Sequence, residues 1–105
     1  MQDQITVQAL QAKWQAKEDF LLLDVRSAEE FNHCNLGGSL IPLPELMAQI
    51  EELPKNKPIL VLCRSGKRSQ AAVILLKEAG FSAVKNISGG ILAWAKEIDP
   101  SFPTY

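Results

Sequence analysis

Residues 59–69 read ILVLCRSGKRS, and this stretch decides the fold. Its first part, Ile59 to Leu62, is a continuously apolar run, which is typical of a strand buried on both faces of a parallel sheet. The run leads directly into Cys63, and a helical pattern begins at about Ser69. Ligands of open parallel sheets bind at the carboxyl ends of the strands. We therefore expect the functional site in the loop that follows this strand.

The loop after Cys63 concentrates positive charge. Three of the five residues that follow it, Arg64, Lys67 and Arg68, are cationic, whereas the whole chain has 11 basic and 12 acidic side chains and a net charge of −1. Cations and a helix N-terminus can lower a cysteine pKa from about 8.5 to roughly 3.5–7.5. We predict that Cys63 is a thiolate nucleophile, activated mainly by helix-end N–H groups and secondarily by the cations, with no histidine as general base.

The same loop is expected to bind the substrate. Gly66 tolerates a positive φ and lets the backbone turn its N–H groups inward, and such a cradle binds an oxyanion. The loop cations are expected to be exposed around its mouth. The predicted catalytic residue is Cys63, and the predicted substrate-binding residues are Arg64, Ser65, Gly66, Lys67, Arg68 and Ser69.

Three other interpretations of the loop have less support. A lone free cysteine is often only a small buried side chain, but the cationic, glycine-containing loop favours a functional one. A Walker A phosphate loop needs a glycine five residues before Gly66, where Val61 stands. His33, Cys34 and Cys63 do not have the spacing of a zinc site. We predict neither a metal nor a cofactor.

Length and composition predict one domain over residues 1–105. The chain is 47% hydrophobic, so a packed core is expected. The near-neutral net charge gives no overall electrostatic attraction for nucleic acid or an anionic membrane. Two cysteines make no disulfide framework, and neither a signal peptide nor a membrane-spanning segment is expected. These features predict a soluble protein of a reducing cytoplasm.

Apolar runs alternate with helical patterns, which predicts an α/β fold with about five parallel strands and helices on both faces of the sheet. Thr6 is a predicted N-cap, and Ser27 with Glu30 forms a predicted capping box. Four strands are predicted at 20–25, 39–41, 59–62 and 83–87, and helices at 7–17, 27–31, 44–53, 69–79 and 91–98.

The loop at 63–69 resembles the C-x-x-G-x-R-S active-site loop of rhodanese domains. Residues 24–31 (DVRSAEEF) resemble their D-V-R-x-x-x-E-[FY] segment, and residues 33–39 (HCNLGGS) resemble their H-I-x-G-A stretch with one additional residue. Residues 80–94 (GFSAVKNISGGILAW) resemble their ending. These segments follow the family order over about residues 20–95.

The resemblance implies a sulfurtransferase, in which Cys63 takes sulfane sulfur from a donor such as thiosulfate or a persulfide and passes it to a thiophilic acceptor. A rhodanese-fold module that only binds or regulates a partner is an alternative. A phosphatase or arsenate reductase is a less favoured one, because phosphatases of this fold have five residues between cysteine and arginine. Cys63 and Arg68 are separated by four.

The last residues carry a narrower resemblance. Residues 96–105 (KEIDPSFPTY) resemble the D-x-x-F-P-x-Y tail of rhodanese domains fused to adenylating enzymes of molybdopterin and thiamine biosynthesis. In those proteins the persulfide supplies sulfur to a ubiquitin-like carrier protein. The resemblance implies such a carrier, or a cysteine desulfurase, as a possible partner.

Other chemistry-bearing residues favour structural roles. Asp24 and Arg26 could position the active loop, although a structural ion pair is at least as well supported. His33 is expected at the surface. Cys34 is expected to pack as a small apolar group; the alternative is that it resolves a Cys63 persulfide by forming a disulfide. Trp14 and Trp94 are expected to pack against helices or the core.

Overall fold

The computed structural model describes residues 3–105, which form one five-stranded parallel sheet in the order β1-β5-β4-β2-β3. The strongest predicted strand, β4, lies at its centre. The elements in chain order are β1 Gln4–Ile5, α1 Val7–Gln15, β2 Leu21–Asp24, α2 Ala28–His33, β3 Ser39–Leu40, α3 Leu46–Gln49, β4 Ile59–Leu62, α4 Lys67–Glu78, β5 Val84–Ile87 and α5 Gly90–Glu97. No helix within residues 3–105 is long and apolar enough to cross a membrane.

The side chains of β4, and of Cys63 directly after it, alternate between two apolar clusters, one on each face of the sheet. Ile59, Val61 and Cys63 belong to the cluster formed with α3 and α4. Leu60 and Leu62 belong to the cluster formed with α1 and α5. All five side chains are almost fully buried. The predicted α/β fold with helices on both faces is thereby confirmed.

Both predicted helix caps are present. The Thr6 hydroxyl accepts a hydrogen bond from the N–H of Ala9 at the start of α1. At the start of α2, Ser27 and Glu30 form both halves of the capping box. Each cap satisfies a helix-end N–H group that would otherwise have no partner.

Several boundaries differ from the sequence prediction. The helix α4 begins at Lys67, two residues before its predicted start at about Ser69, because Gly66, with φ +101°, already serves as the N-cap. The predicted helix at 44–53 consists of the four-residue α3 between two 3₁₀ turns. The fifth strand, unplaced in the sequence, is β1, which extends the edge of the sheet through pairing with β5.

The two tryptophans pack against each other on the outer side of helices α1 and α5. The rings of Trp14 on α1 and Trp94 on α5 meet edge to face, with centroids 5.5 Å apart. Trp14 is nevertheless 36% exposed. The pair joins the outer parts of α1 and α5, while Leu10 fills the core beneath.

The turn between β5 and α5 holds the loop that follows β4. The N–H groups of Ile91 and Leu92 donate to the carbonyl oxygens of Cys63 and Arg64, at 3.0 and 3.1 Å. A Cβ added at Gly90, whose φ is +56°, would overlap the Cys63 oxygen and lie 2.7 Å from that of Arg64. Only glycine permits this approach.

We predict that Gly90→Ala destabilises the protein by roughly 2–5 kcal/mol, because a backbone clash is added to the strain of positive φ. Gly37→Ala is the matched control: Gly37 has φ +82° but nothing lies within 4 Å of its added Cβ. Its cost should be only about 1–2 kcal/mol. Urea unfolding of both variants measures the difference, and equal costs would contradict the importance of the close approach.

Candidate active site

The sulfur of Cys63 lies inside a ring of hydrogen-bond donors at the carboxyl end of β4. Its side chain is 0% exposed. The N–H of Gly66 donates to Sγ at 3.0 Å, and the hydroxyl oxygen of Ser69, in the first turn of α4, lies 3.2 Å from Sγ. The left-handed conformation of Gly66 makes this turn possible.

This environment stabilises the thiolate. Burial raises the pKa of Cys63, but hydrogen bonds from the Ser69 hydroxyl and from the N–H groups of Ser69, Gly66 and Ser65 lower it by more. The pKa therefore lies below the ordinary value for cysteine. The direction agrees with the sequence prediction, while the contribution of the Ser69 hydroxyl was not foreseen.

The three loop cations occupy different environments. Arg68 forms a two-point ion pair with Glu30 of α2, with N–O distances of 2.6 and 2.8 Å. The Arg64 guanidinium donates to the main-chain oxygen of Tyr105 and lies over its ring, 5.2 Å from the centroid. Lys67 is exposed and has no carboxylate or carbonyl partner among residues 3–105. The three cations were predicted to be exposed around the mouth: Lys67 is exposed, whereas Arg64 and Arg68 are only partly exposed and are bound to protein partners.

Glu30 joins three parts of the chain at the side of the loop. Besides Arg68, its carboxylate accepts from the Tyr105 hydroxyl at 2.7 Å and caps α2 through Ser27. Arg68 lowers the pKa of Glu30 far below its usual range, burial opposes this, and Tyr105 and Ser27 lower the pKa further. The carboxylate consequently stays ionised and holds Arg68 beside the site.

Asp24 and Arg26 form a buried ion pair behind this cluster. Both side chains are almost fully buried, and Arg26 Nη2 donates to Asp24 Oδ2 at 2.8 Å and to the Cys34 carbonyl at 2.7 Å. Arg26 also donates to the Tyr105 hydroxyl at 3.0 Å. Within residues 3–105, neither side chain hydrogen-bonds to the loop at 63–69. The pair therefore supports α2 and the tail, and it acts on the loop only through them.

His33 and Cys34 lie outside the ring around Sγ. The exposed His33 ring packs edge to face on Tyr105, with centroids 5.6 Å apart. Cys34 is buried in the apolar cluster on the α1 and α5 side, and it is a free thiol like Cys63. These positions agree with the structural interpretation of both residues.

Sequence reasoning missed Asn86 on β5. It is only 4% exposed, and its amide contacts both the Ser69 hydroxyl and the Gly66 carbonyl beneath the loop. The available signal was an asparagine in a predicted strand, two residues after Val84 and therefore on the same face as that apolar side chain, since a buried polar side chain needs partners.

We predict that Glu30→Gln lowers the free energy of unfolding by about 1–3 kcal/mol at pH 7, because charge-assisted hydrogen bonds are lost. A carboxylate with a lowered folded pKa stabilises the protein above its unfolded pKa, and this stability is lost as pH falls. The deficit of the variant should therefore shrink from about pH 4.5 downward. Urea unfolding between pH 7 and 3 tests this.

Glu29→Gln is the control, because Glu29 is an exposed acid in the same first turn with no partner among residues 3–105. It should have a small effect at every pH. A deficit of Glu30→Gln that stayed constant down to pH 3 would contradict the ion-pair interpretation.

Known proteins with similar sequences and structures agree with this geometry. The family model described as "Rhodanese-like domain" matches residues 6–97. The "Adenylyltransferase and sulfurtransferase MOCS3-1" of Zea mays is 44% identical over a 96-position alignment, and the match covers 84% of this chain but only 20% of the maize protein. The chain thus spans about a fifth of the length of that relative.

Two further relatives have the size of this chain. A protein named "Sulfurtransferase" from Allochromatium vinosum is 33% identical over 97 residues, covering 91% of each chain. The crystal structure of a rhodanese-like domain protein from Staphylococcus aureus superimposes with a TM-score of 0.81 at 28% identity, covering 98% of both chains. The fold, the family model and these relatives show that the chain belongs to the rhodanese family of sulfurtransferases.

Proposed function

We propose that this domain, residues 1–105, moves sulfane sulfur from a small anionic donor such as thiosulfate to a thiophilic acceptor through a persulfide on Cys63. The observation that carries the proposal is the buried Sγ, which the Gly66 N–H and the Ser69 hydroxyl surround at 3.0 and 3.2 Å. Such donors stabilise an anionic sulfur without a general base.

In the first half-reaction the Cys63 thiolate attacks the outer sulfur of thiosulfate. An S–S bond forms at Sγ while the S–S bond of thiosulfate breaks, and sulfite leaves with the electron pair of that bond. The negative charge moves from Sγ to the new outer sulfur. The ring N–H groups, which are fixed by the backbone, can stabilise that charge as well.

In the second half-reaction a nucleophilic acceptor attacks the outer sulfur. The bond to Sγ breaks, the Cys63 thiolate is restored, and cyanide leaves as thiocyanate or a thiol leaves as a persulfide. Cys63 is 0% exposed, but the outer sulfur of the persulfide is one bond further from Cβ than Sγ. The acceptor therefore has to contact only the outer sulfur and does not have to reach Sγ.

The likeness to the maize protein, whose name joins an adenylyltransferase to a sulfurtransferase, supports a protein partner in addition to small molecules. We propose a ubiquitin-like sulfur carrier as acceptor and a cysteine desulfurase as an alternative donor. Because both cysteines are free thiols and the chemistry needs Cys63 reduced, we place the reaction in the cytoplasm.

We predict that thiosulfate adds about 32 Da to the protein, the mass of one sulfur, and that cyanide removes it. Cys63→Ser should abolish the addition, since only Cys63 lies at the donor ring. Cys34→Ser is the control and should load normally. Intact-mass measurement followed by peptide mapping checks both variants.

A persulfide on Cys34 in the wild type would contradict the assignment. Failure of the wild type to load from either thiosulfate or a desulfurase persulfide would instead favour a binding module without sulfur transfer.

We also predict that Lys67→Ala raises KM for thiosulfate about 10-fold at low salt with little change in kcat. Lys67 is exposed and unpaired within residues 3–105, and a charge-assisted contact to an anion is worth about 1.5 kcal/mol or more. Rising salt should weaken thiosulfate use more in the wild type than in the variant. Steady-state kinetics at several ionic strengths measures both effects.

Lys85→Ala removes the same charge from an exposed lysine that lines a different groove with Lys13 and Pro58. It should leave KM near the wild-type value. If both lysine variants behaved alike, electrostatic capture at the mouth of the loop would be wrong.

A further inference from the structure

A chain of polar groups runs from the active sulfur into the sheet. Ser69 Oγ lies 3.2 Å from Cys63 Sγ and donates a hydrogen bond to Asn86 Oδ1. Ser69 is 0% exposed and Asn86 is 4% exposed, so water does not readily substitute for either partner. A buried hydroxyl without a partner would cost free energy.

The orientation of the Asn86 amide is fixed by a neighbour that cannot rotate. Nδ2 donates to the carbonyl oxygen of Gly66 at 3.1 Å. A backbone carbonyl only accepts hydrogen bonds, so the reversed amide would place two acceptors against each other. Asn86 therefore presents its oxygen, and not its nitrogen, to Ser69.

A hydroxyl has one proton, so Ser69 can donate either to Asn86 or to the sulfur. We propose that Asn86 is a positioning residue that competes with the Cys63 sulfur for the hydroxyl proton of Ser69. In the thiol form the Cys63 S–H donates to Ser69 Oγ, and Ser69 donates to Asn86. In the thiolate form the hydroxyl turns to Sγ and leaves Oδ1.

Asn86 thus opposes thiolate formation, whereas the N–H groups of the ring favour it. Removing the Asn86 acceptor releases the Ser69 proton for the sulfur. The thiolate should then form at lower pH, by roughly 0.5–1 pH unit, which corresponds to one net hydrogen bond.

The competition also has a role in the persulfide cycle, a point that rests on the proposed function. When Sγ becomes the inner sulfur of a persulfide, it loses its negative charge and most of its ability to accept a hydrogen bond. The Ser69 proton then returns to Asn86 Oδ1. Asn86 thereby supplies the buried hydroxyl with a partner in the loaded state.

Several charged groups belong to the elements packed against the site and stay the same in all the test variants. Arg68 on α4 interacts with the Cys63 charge, and its partner Glu30 comes from α2. Arg64 contacts Tyr105, Lys67 is exposed on the loop, and Asp24 at the end of β2 pairs with Arg26 just after it. Their contributions cancel when variants are compared.

The test measures the rate of Cys63 alkylation by iodoacetamide against pH, with the adduct located by peptide mass mapping. Asn86→Leu removes the acceptor with a side chain of similar size. The Gly66 carbonyl keeps its hydrogen bond from the Gln70 N–H, at 3.2 Å. Gln4 and Gln70 line an open groove of about 620 Å³ and can turn to solvent.

We expect the midpoint of alkylation to fall in Asn86→Leu and to rise in Ser69→Ala, which has no hydroxyl to donate. In the Ser69→Ala background, Asn86→Leu should not shift the midpoint further, because there is no hydroxyl proton for Asn86 and the sulfur to compete for. If Asn86→Leu does not fold, Asn86→Val, with a side chain suited to a strand, replaces it.

A merely structural role predicts the opposite sign. Loss of support for Gly66 would disorder the N–H ring, so the midpoint would rise in Asn86→Leu, with or without Ser69. A raised or unchanged midpoint, or an equal shift in both backgrounds, overturns the proposal. Because the titration uses the free enzyme and no sulfur donor, failure of persulfide loading leaves its outcome unaffected.

Discussion

The candidate active site depends on the close approach of two backbone turns, one after β4 and one after β5. Gly90 lies against the carbonyl oxygens of Cys63 and Arg64, and the first N–H groups of α5 bond to them. In a planar trans peptide the N–H points away from its carbonyl oxygen. Peptides whose oxygens face α5 therefore turn their N–H groups to the other side of the loop. One contact between turns thus helps to orient the Ser65 N–H, which is one of the donors that lower the pKa of Cys63.

The charged side chains stabilise the loop from its other flank. Glu30 caps α2 and binds Arg68 of α4. The Tyr105 hydroxyl donates to the Glu30 carboxylate and accepts from Arg26. The main-chain oxygen of Tyr105 accepts from Arg64. Two of the cations that the sequence places near the sulfur are therefore occupied by protein partners. Their main effect is to fix α2, α4 and the tail relative to one another, which keeps the backbone ring in shape.

The sequence predicted the parts of the site that depend on local chemistry. A buried strand running into Cys63, a glycine able to adopt positive φ and a capping box at Ser27 can each be recognised within a few residues. The fifth strand could not be placed, because Gln4–Ile5 is too short for a pattern and forms only by pairing with β5. The contacts of Arg68 and Asn86 join residues 38 and 17 positions apart. Spacing along one chain carries no information about such partners.

Different groups of the loop stabilise the sulfur and contact its mouth, and this difference affects which sulfur donor the loop selects. The donors at the sulfur are N–H groups and a hydroxyl, whose positions follow from the backbone and are little affected by the identity of exposed side chains. A ring of this kind stabilises an anionic sulfur, so it favours sulfur chemistry without choosing the donor. That choice falls to groups at the mouth, where Lys67 is exposed and the Arg64 guanidinium is held by Tyr105. Under the proposed function, an anionic donor can contact the exposed Lys67 directly, whereas the Nε and Nη2 groups of Arg64 already donate to the main-chain oxygen of Tyr105.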